Sequence, residues 1–276
     1  MNAADFEFVA HLVRQRSGLV LTPEKTYLVE SRLAPLARRD GLASIEDLLR
    51  VVRQRRDERM LEAIVDAMTT NETFFFRDKT PFDMLKETIL PQLAVRRAGG
   101  GRLRILCAAA STGQEPYSIA MMLDQQPSLT MGQPVEIVAT DISDRVLDKA
   151  KSGLYTQFEV QRGLPVQYLM KYFDKDGDIW RINDRLRSMV SFRRHNLLED
   201  LRALGRFDIV FCRNVLIYFD QPTKRAVLEK LAAQMAPDGF MVMGAAETVL
   251  GVTTAFEPAK DKRGLYVRPG ANQAAA

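Results

Sequence analysis

The stretch "LRILCAAASTGQEPYSIA", residues 103–120, decides the fold. Leu103, Ile105, Leu106 and Cys107, with Arg104 among them, read as a strand. Ala108, Ala109, Ala110, Ser111 and Gly113 follow as a loop of small residues, and "PYSIAMMLDQ" (116–125) has the spacing of a helix. A buried strand that empties into a small-residue loop and then a helix is the opening unit of a parallel α/β sheet.

The same rhythm continues downstream. "VEIVATD" (135–141) reads as a second strand and "SDRVLDKAKSG" (143–153) as a helix closed by Gly153. "FDIVFCRN" (207–214) is a later buried strand, "QPTKRAVLEKLAAQMAPDG" (221–239) a helix, and "FMVMG" (240–244) another strand. Short apolar runs alternating with amphipathic helices predict a mostly parallel sheet covered on both faces. Residues 154–193 break the alternation. "DKDG" (174–177) is a turn, and "DIWRINDRLRSMVSFRR" (178–194) has the composition of small antiparallel strands.

Upstream, the first hundred residues read as helices. "DFEFVAHLVRQRSG" (5–18) stops at Gly18. "TPEKTYLVESRLAPLARRDG" (22–41) has Thr22 as N-cap and Pro23 in the first turn, with Pro35 expected to kink or split it. "SIEDLLRVV" (44–52) opens on a Ser44/Asp47 capping pattern, and "RMLEAIVDAM" (59–68) sets Met60, Leu61, Ile64, Val65 and Met68 on one face. Thr80 and Pro81 start another helix, with Phe82, Leu85 and Ile89 apolar. "RRAGGG" (96–101) reads as a hinge, which divides the chain into a helical domain, 1–97, and an α/β domain, 98–276, ending in a frayed "PGANQAAA".

Composition excludes several classes. No apolar run reaches the length of a membrane span, and "MNAADFEFVA" has acids where a secretory signal has bases. Cys107 and Cys212 sit in apolar runs and read as buried free thiols of a reducing cytosol. With only His11 and His195 besides, a zinc site is not expected. A net charge of +4 permits a nucleic-acid partner and an acidic protein partner equally.

In an open parallel sheet, ligands bind beyond the carboxyl ends of the strands. The first strand leads into the small loop with Glu115. The second ends on Asp141, which fits either a ribose-binding acid or a helix N-cap. Neither the glycine-rich dinucleotide fingerprint nor the P-loop pattern is present. A nucleoside cofactor without a pyrophosphate fits better, and S-adenosylmethionine is the leading candidate, its sulfonium being compatible with an acidic wall. Asn196, after "VSFRR", suits an adenine edge or a loop cap. Arg213, Asn214 and Tyr218, polar residues among apolar neighbours at a strand end, need partners.

"TTNETFFFR" (69–77), "AAASTGQEPYSIA", "ATDIS", "HNLLE" and "FCRNVLIYFD" stand in the order and spacing of the CheR-type chemotaxis receptor glutamate O-methyltransferases. The chain resembles that family from about Phe6 to Val267. The resemblance implies a Rossmann-like S-adenosylmethionine-dependent domain, a small all-helical N-terminal domain and an inserted antiparallel β-subdomain at 154–193. It implies cofactor contacts at Asn71, Thr73, Arg77, Glu115, Asp141, Asn196, Leu197, Arg213 and Asn214, with Tyr218 facing the transferred methyl. Gln114 departs from the commoner acid of that loop. The reaction implied is methyl-ester formation on specific receptor glutamates, with S-adenosylhomocysteine as product and no metal, in a cytoplasmic enzyme recruited to membrane receptor arrays.

A glutamate side chain is already ionised at neutral pH, so no general base is needed. Arg77 and Tyr218 are the candidates for orienting it. Lys25, Arg32 and Arg39 fall seven apart, with Arg38 adjacent. By spacing they form a solvated basic face, and by resemblance a grip on the acidic signalling helices of receptors. Some relatives also dock a peptide from the receptor C-terminus on the β-subdomain, and residues 154–193 do not decide whether this chain does. A nucleic-acid methyltransferase would explain the basic charge, but "RNVLIY" lacks the proline-rich turn used on base amino groups. A silent cofactor-binding adaptor would not need Arg77 and Tyr218. Within "TTNETFFFR", some of Phe74, Phe75 and Phe76 are expected to pack between the domains and hold Arg77.

Overall fold

The computed structural model describes residues 1–97 and 101–270. Most of the expected hinge (Ala98 to Gly100) and the end of the expected frayed tail (271–276) lie outside the described residues. The chain divides into two compact units, one of Met1–Thr70 with Tyr218–Thr223, the other of Asn71–Ile217 with Lys224–Ala276.

The helical unit holds α1 (Ala3–Ser17), α2 (Thr26–Arg39), α3 (Ile45–Arg55) and α4 (Glu58–Met68). Local chemistry sets their ends. Asn2 and Ser44 accept the backbone N–H groups of Asp5 and Asp47, and Asp57 caps α4. Gly18, at φ 78°, closes α1. Met60, Leu61, Ile64, Val65 and Met68 are all buried. Two expectations change. Thr22 makes no side-chain cap, because a 3₁₀ turn, Pro23–Lys25, precedes α2. Pro35 neither ends nor splits α2, which runs through it. A short strand-like contact joins Leu19 to Phe219, and Val20 donates to the Tyr218 carbonyl.

The second unit begins at Asn71, not at residue 98. Its first helices are α5 (Thr80–Met84), a π-helical turn (Leu85–Ile89) and α6 (Leu90–Arg96). Phe82, Leu85, Ile89, Leu90 and Leu93 belong to the same core as Leu103, Ile105 and Cys107, so apolar burial assigns these helices to the sheet. The strands of the large sheet are β1 (Leu103–Ala108), β2 (Val135–Asp141), β6 (Val190–Arg194), β7 (Phe207–Cys212), β8 (Met235–Met243), β9 (Glu257–Pro258) and β10 (Leu265–Val267). Their order is β6-β2-β1-β7-β8-β10-β9. The first five are parallel, while β10 runs antiparallel to β8 and β9 to β10. The order reverses between β1 and β7, which opens a crevice at the carboxyl ends of β1, β2 and β7. Crossovers are supplied by α7 (Gln114–Gln125), α8 (Asp144–Ser152) and α12 (Gln221–Gln234).

The inserted region is a three-stranded antiparallel sheet of β3 (Leu154–Thr156), β4 (Phe173–Asp176) and β5 (Ile179–Ile182), ordered β3-β5-β4. It also holds α9 (Gln157–Gln161), α10 (Val166–Tyr172) and α11 (Asp184–Ser188). The expected boundary at 193 shifts. "VSFRR" pairs in parallel with β2 and is a strand of the large sheet, while "DRLRS" is helical. Cys107 and Cys212 are both free and fully buried, and burial raises both thiol pKa values well above normal.

Candidate active site

The loop after β1 is shaped for close approach. Ala109 and Ser111 take left-handed backbone at φ 55° and 50°. Gly113, at φ 93°, sits where a Cβ would lie 2.9 Å from that of Ala150. The Ser111 N–H donates to Asp141 Oδ2 at 2.9 Å and the Ser143 N–H to Oδ1 at 3.0 Å. Asp141, at the end of β2, is therefore aimed by two backbone donors and nearly fully buried. The His195 N–H donates to the Asp141 carbonyl, which ties the end of β6 to that of β2. Asn196 follows directly, its Oδ1 accepting the Leu198 N–H at 3.0 Å, with Leu197 buried beside it. Gln114 is a buried acceptor for the Thr112 hydroxyl, so the loop carries one charge, Glu115.

Arg213 leaves β7 with a side chain only 2% exposed. Nη1 donates to Glu115 Oε2 at 2.8 Å, and Nη2 to the Arg77 carbonyl at 2.9 Å and to Asp78 Oδ2 at 2.8 Å. Its Nε, also buried, has no hydrogen-bond partner. Burial pushes the Glu115 carboxyl above its ordinary range, against the opposing pull of Arg213. The backbone N–H of Asn214, itself left-handed at φ 57°, donates to Glu247, as do those of Val215, Leu216 and Gly244. One buried carboxylate thus organises the turn after β7.

The 71–80 turn lies on this same end of the sheet. The Ser111 hydroxyl donates to the Asn71 carbonyl at 2.8 Å, and the Phe76 N–H donates to Ser118 Oγ at 3.0 Å. Phe76, Asp78 and Lys79 all have positive φ, at 52°, 66° and 41°. The three phenylalanines find partners inside the second unit. Phe75 is fully buried against Tyr155 and Phe173, at 5.1 and 5.6 Å between ring centroids. Phe76 stacks on Tyr168 at 5.2 Å. Phe74 lies under two guanidinium groups, Arg162 at 4.3 Å and Arg77 at 5.6 Å. Arg77 Nη1 donates to the Glu72 carbonyl at 2.8 Å, and Arg162 pairs with the Glu72 carboxylate at 2.6 Å. Thr73 is half-buried in the turn.

The structure thus gathers Asn71, Thr73, Arg77, Glu115, Asp141, Asn196, Leu197, Arg213 and Asn214 within one unit. Tyr218 is the exception, since it falls in the segment that groups with the helical unit. Of the basic residues, Lys25, Arg38 and Arg39 are exposed, with Arg39 paired to Asp40. Arg32 is half-buried. Its guanidinium donates to the Met68 and Thr69 carbonyls at 2.8 and 3.0 Å, at the end of α4. Sequence reasoning missed Asp78, Ser118, Arg162 and Glu247. Asp78 adjoins a motif residue and was within reach, whereas the partners of the others are set by tertiary contact alone.

The donor set suits a ribose-bearing, cationic cofactor. A strand-end carboxylate is held ready to accept, and residues 108–115 contain no basic side chain to receive phosphate. No group of three His, Cys, Asp or Glu among the described residues could hold a metal ion. No helix among them is long and apolar enough to cross a membrane.

Residues 71–265 match the family model described as CheR methyltransferase, SAM binding domain, and residues 4–69 match CheR methyltransferase, all-alpha domain. Chemotaxis protein methyltransferase 1 of Pseudomonas aeruginosa is 41% identical over 96% of this chain and 97% of its own length. The chemotaxis protein methyltransferase of Vibrio anguillarum is 41% identical over 96% of each chain. That of Escherichia coli is 35% identical over 90% of this chain and 85% of its own.

Proposed function

This chain belongs to the CheR methyltransferase family, and from that premise we propose which residues carry its reaction and how they meet the substrate. The enzyme is an S-adenosylmethionine-dependent protein-glutamate O-methyltransferase of chemotaxis, acting on chemoreceptors. Bound S-adenosylmethionine supplies an electrophilic methyl group and leaves as S-adenosylhomocysteine. The observation that carries our assignment is the seating of the 71–80 turn on the strand ends, through Ser111 to Asn71 and Arg213 to Arg77.

Asp141 holds the ribose hydroxyls, Asn196 and Leu197 border the adenine, and the backbone of Arg213–Asn214 lines the cleft. Asn71 and Thr73 close it from the turn. Glu115 faces the amino-acid end while keeping Arg213 in place. The Arg213 side chain, with both terminal nitrogens on protein partners, also acts as a strut. Arg77 orients the receptor carboxylate, and Tyr218 completes that task from the segment after β7. Because the nucleophile is already anionic, the protein's work is alignment, an effect that can reach several orders of magnitude.

Arg38 and Arg39 with Lys25 form the acidic-helix grip, with Arg32 as a structural residue behind it. The chain works in the cytoplasm at receptor arrays, and the β3-β5-β4 sheet is the candidate seat for a receptor C-terminal peptide. Transfer of labelled methyl to receptor signalling fragments tests the assignment. The wild type should form base-labile methyl esters. Arg77→Ala should lose roughly a hundredfold or more in turnover while its unfolding transition is kept. Near-normal methylation by that variant would refute the role of Arg77.

A further inference from the structure

Resting on the assignment of Arg77 to the receptor carboxylate, we propose that Asp78 is a positioning residue for methyl transfer. Its carboxylate, anchored on the buried guanidinium of Arg213, sets the turn from which Arg77 projects. Three observations carry this. First, the backbone on both sides of Arg77 is left-handed, at Phe76, Asp78 and Lys79. L-residues adopt that conformation against a steric penalty, so it persists only where contacts hold it. Second, the side-chain hydrogen bonds to that backbone are few and specific. Phe76 is held at its N–H by Ser118. The other side is held by Nη2 of Arg213, which donates to the Arg77 carbonyl and the Asp78 carboxylate together. Third, the anchor is rigid. The Arg213 side chain is 2% exposed, and Glu115 fixes its other terminal nitrogen.

The Asp78 side chain is 43% exposed, yet it is not merely a solvated charge. Its partner cannot turn to water, and the bond is charge-assisted, hence stronger than a neutral one. With an ordinary turn residue here, Arg213 would hold that flank by the Arg77 carbonyl alone, beside the backbone bond from the Lys79 N–H to the Phe76 carbonyl at 3.0 Å. The Arg77 guanidinium would then sample positions away from its hold on Glu72 and Phe74. Misplacement of an orienting group by about an ångström is enough to lower a rate by roughly two orders of magnitude.

The test uses Asp78→Asn and Asp78→Gly in the full chain. Both tolerate φ near 66°, so neither adds backbone strain, and Glu115 still pairs with Arg213. We expect kcat for receptor methylation to fall roughly ten- to a hundredfold. S-adenosylhomocysteine affinity by calorimetry should stay within about twofold of wild type, a change well below the 1.4 kcal/mol of a tenfold effect. In the Arg77→Ala background, neither change should reduce turnover further, because residues acting as a unit are non-additive. Wild-type kcat in both variants overturns the proposal. So does an equal loss in the Arg77→Ala background, or a loss matched by weaker S-adenosylhomocysteine binding, which would place Asp78 in the cofactor pocket. If Arg77→Ala alone turns over normally, the assignment of Arg77 fails first, visibly in that variant, and this proposal falls with it.

Discussion

The helical unit and the 71–80 turn use arginine in opposite ways. In the helical unit, Arg32 reaches across to the last carbonyls of α4, where a cation meets the negative end of a helix, and Arg38 stands in solvent. The helices would form without either, because apolar faces and, at α4, the Asp57 cap already specify them. In the turn, Arg213 is buried and fastens a backbone that has little local reason to hold its shape. Where local chemistry suffices, charge is free to serve recognition. Where backbone is strained, charge is consumed in holding it.

Mutations can break this contrast, and the largest effect should fall on the turn. Phe75→Ala removes a fully buried ring from an aromatic cluster and should cost about 3–5 kcal/mol in denaturant unfolding. A loss below about 0.5 kcal/mol, the scale of an ordinary surface change, would mean that Phe75 is not what seats the turn. Next comes the helical unit. Arg32→Ala should cost about 1 kcal/mol of stability, with only a secondary effect on receptor methylation. Arg38→Glu with Arg39→Glu should leave stability nearly unchanged yet weaken methylation, with the wild type losing rate as salt rises. If the double reversal methylated receptors normally, the grip would have to lie elsewhere.

The smallest effect is a difference in the sign of pH dependence. Arg39 holds the Asp40 carboxyl below its ordinary value of 3.8. A lowered folded pKa gives stability that is present above the unfolded value and lost as pH falls through the folded one. Glu115 is the reverse, its pKa raised above 4.5 chiefly by burial. Its folded form binds the proton more readily than the unfolded form. It therefore favours folding most below 4.5, and that benefit is lost as pH rises through the folded value. The stability of the wild type relative to Glu115→Gln should accordingly decline as pH rises past 4.5, whereas relative to Asp40→Asn it should grow as pH rises toward 3.8 and level off above it. Equal slopes in unfolding titrations would erase the distinction.

Much of the candidate site was legible as a set of positions because strand ends announce themselves. Asp141 and Glu115 could be placed from the strand–loop–helix rhythm, and Asn71, Thr73 and Arg77 from a motif in its proper order. The fate of Arg32 was not legible, since seven-residue spacing gives a helix face but not what faces it. Nor was the boundary of the second unit. Gly99 and Gly100 suggested a hinge near 97, while Phe82, Leu85 and Leu90 had already joined the core of the sheet.

The sequence by itself determined the helices of the first unit, the alternating strands and helices of the second, and which polar residues stand at the strand ends. These rest on periodicity and short-range capping, which act between neighbours in the chain. Only the tertiary structure decided that "VSFRR" joins the large sheet, that Glu247 gathers four backbone donors, and that Arg213 ties Glu115 to Asp78. Apart from Gly244, three residues from Glu247, those pairings span tens of residues or more, and a buried charge takes whichever partner the packed fold brings within reach.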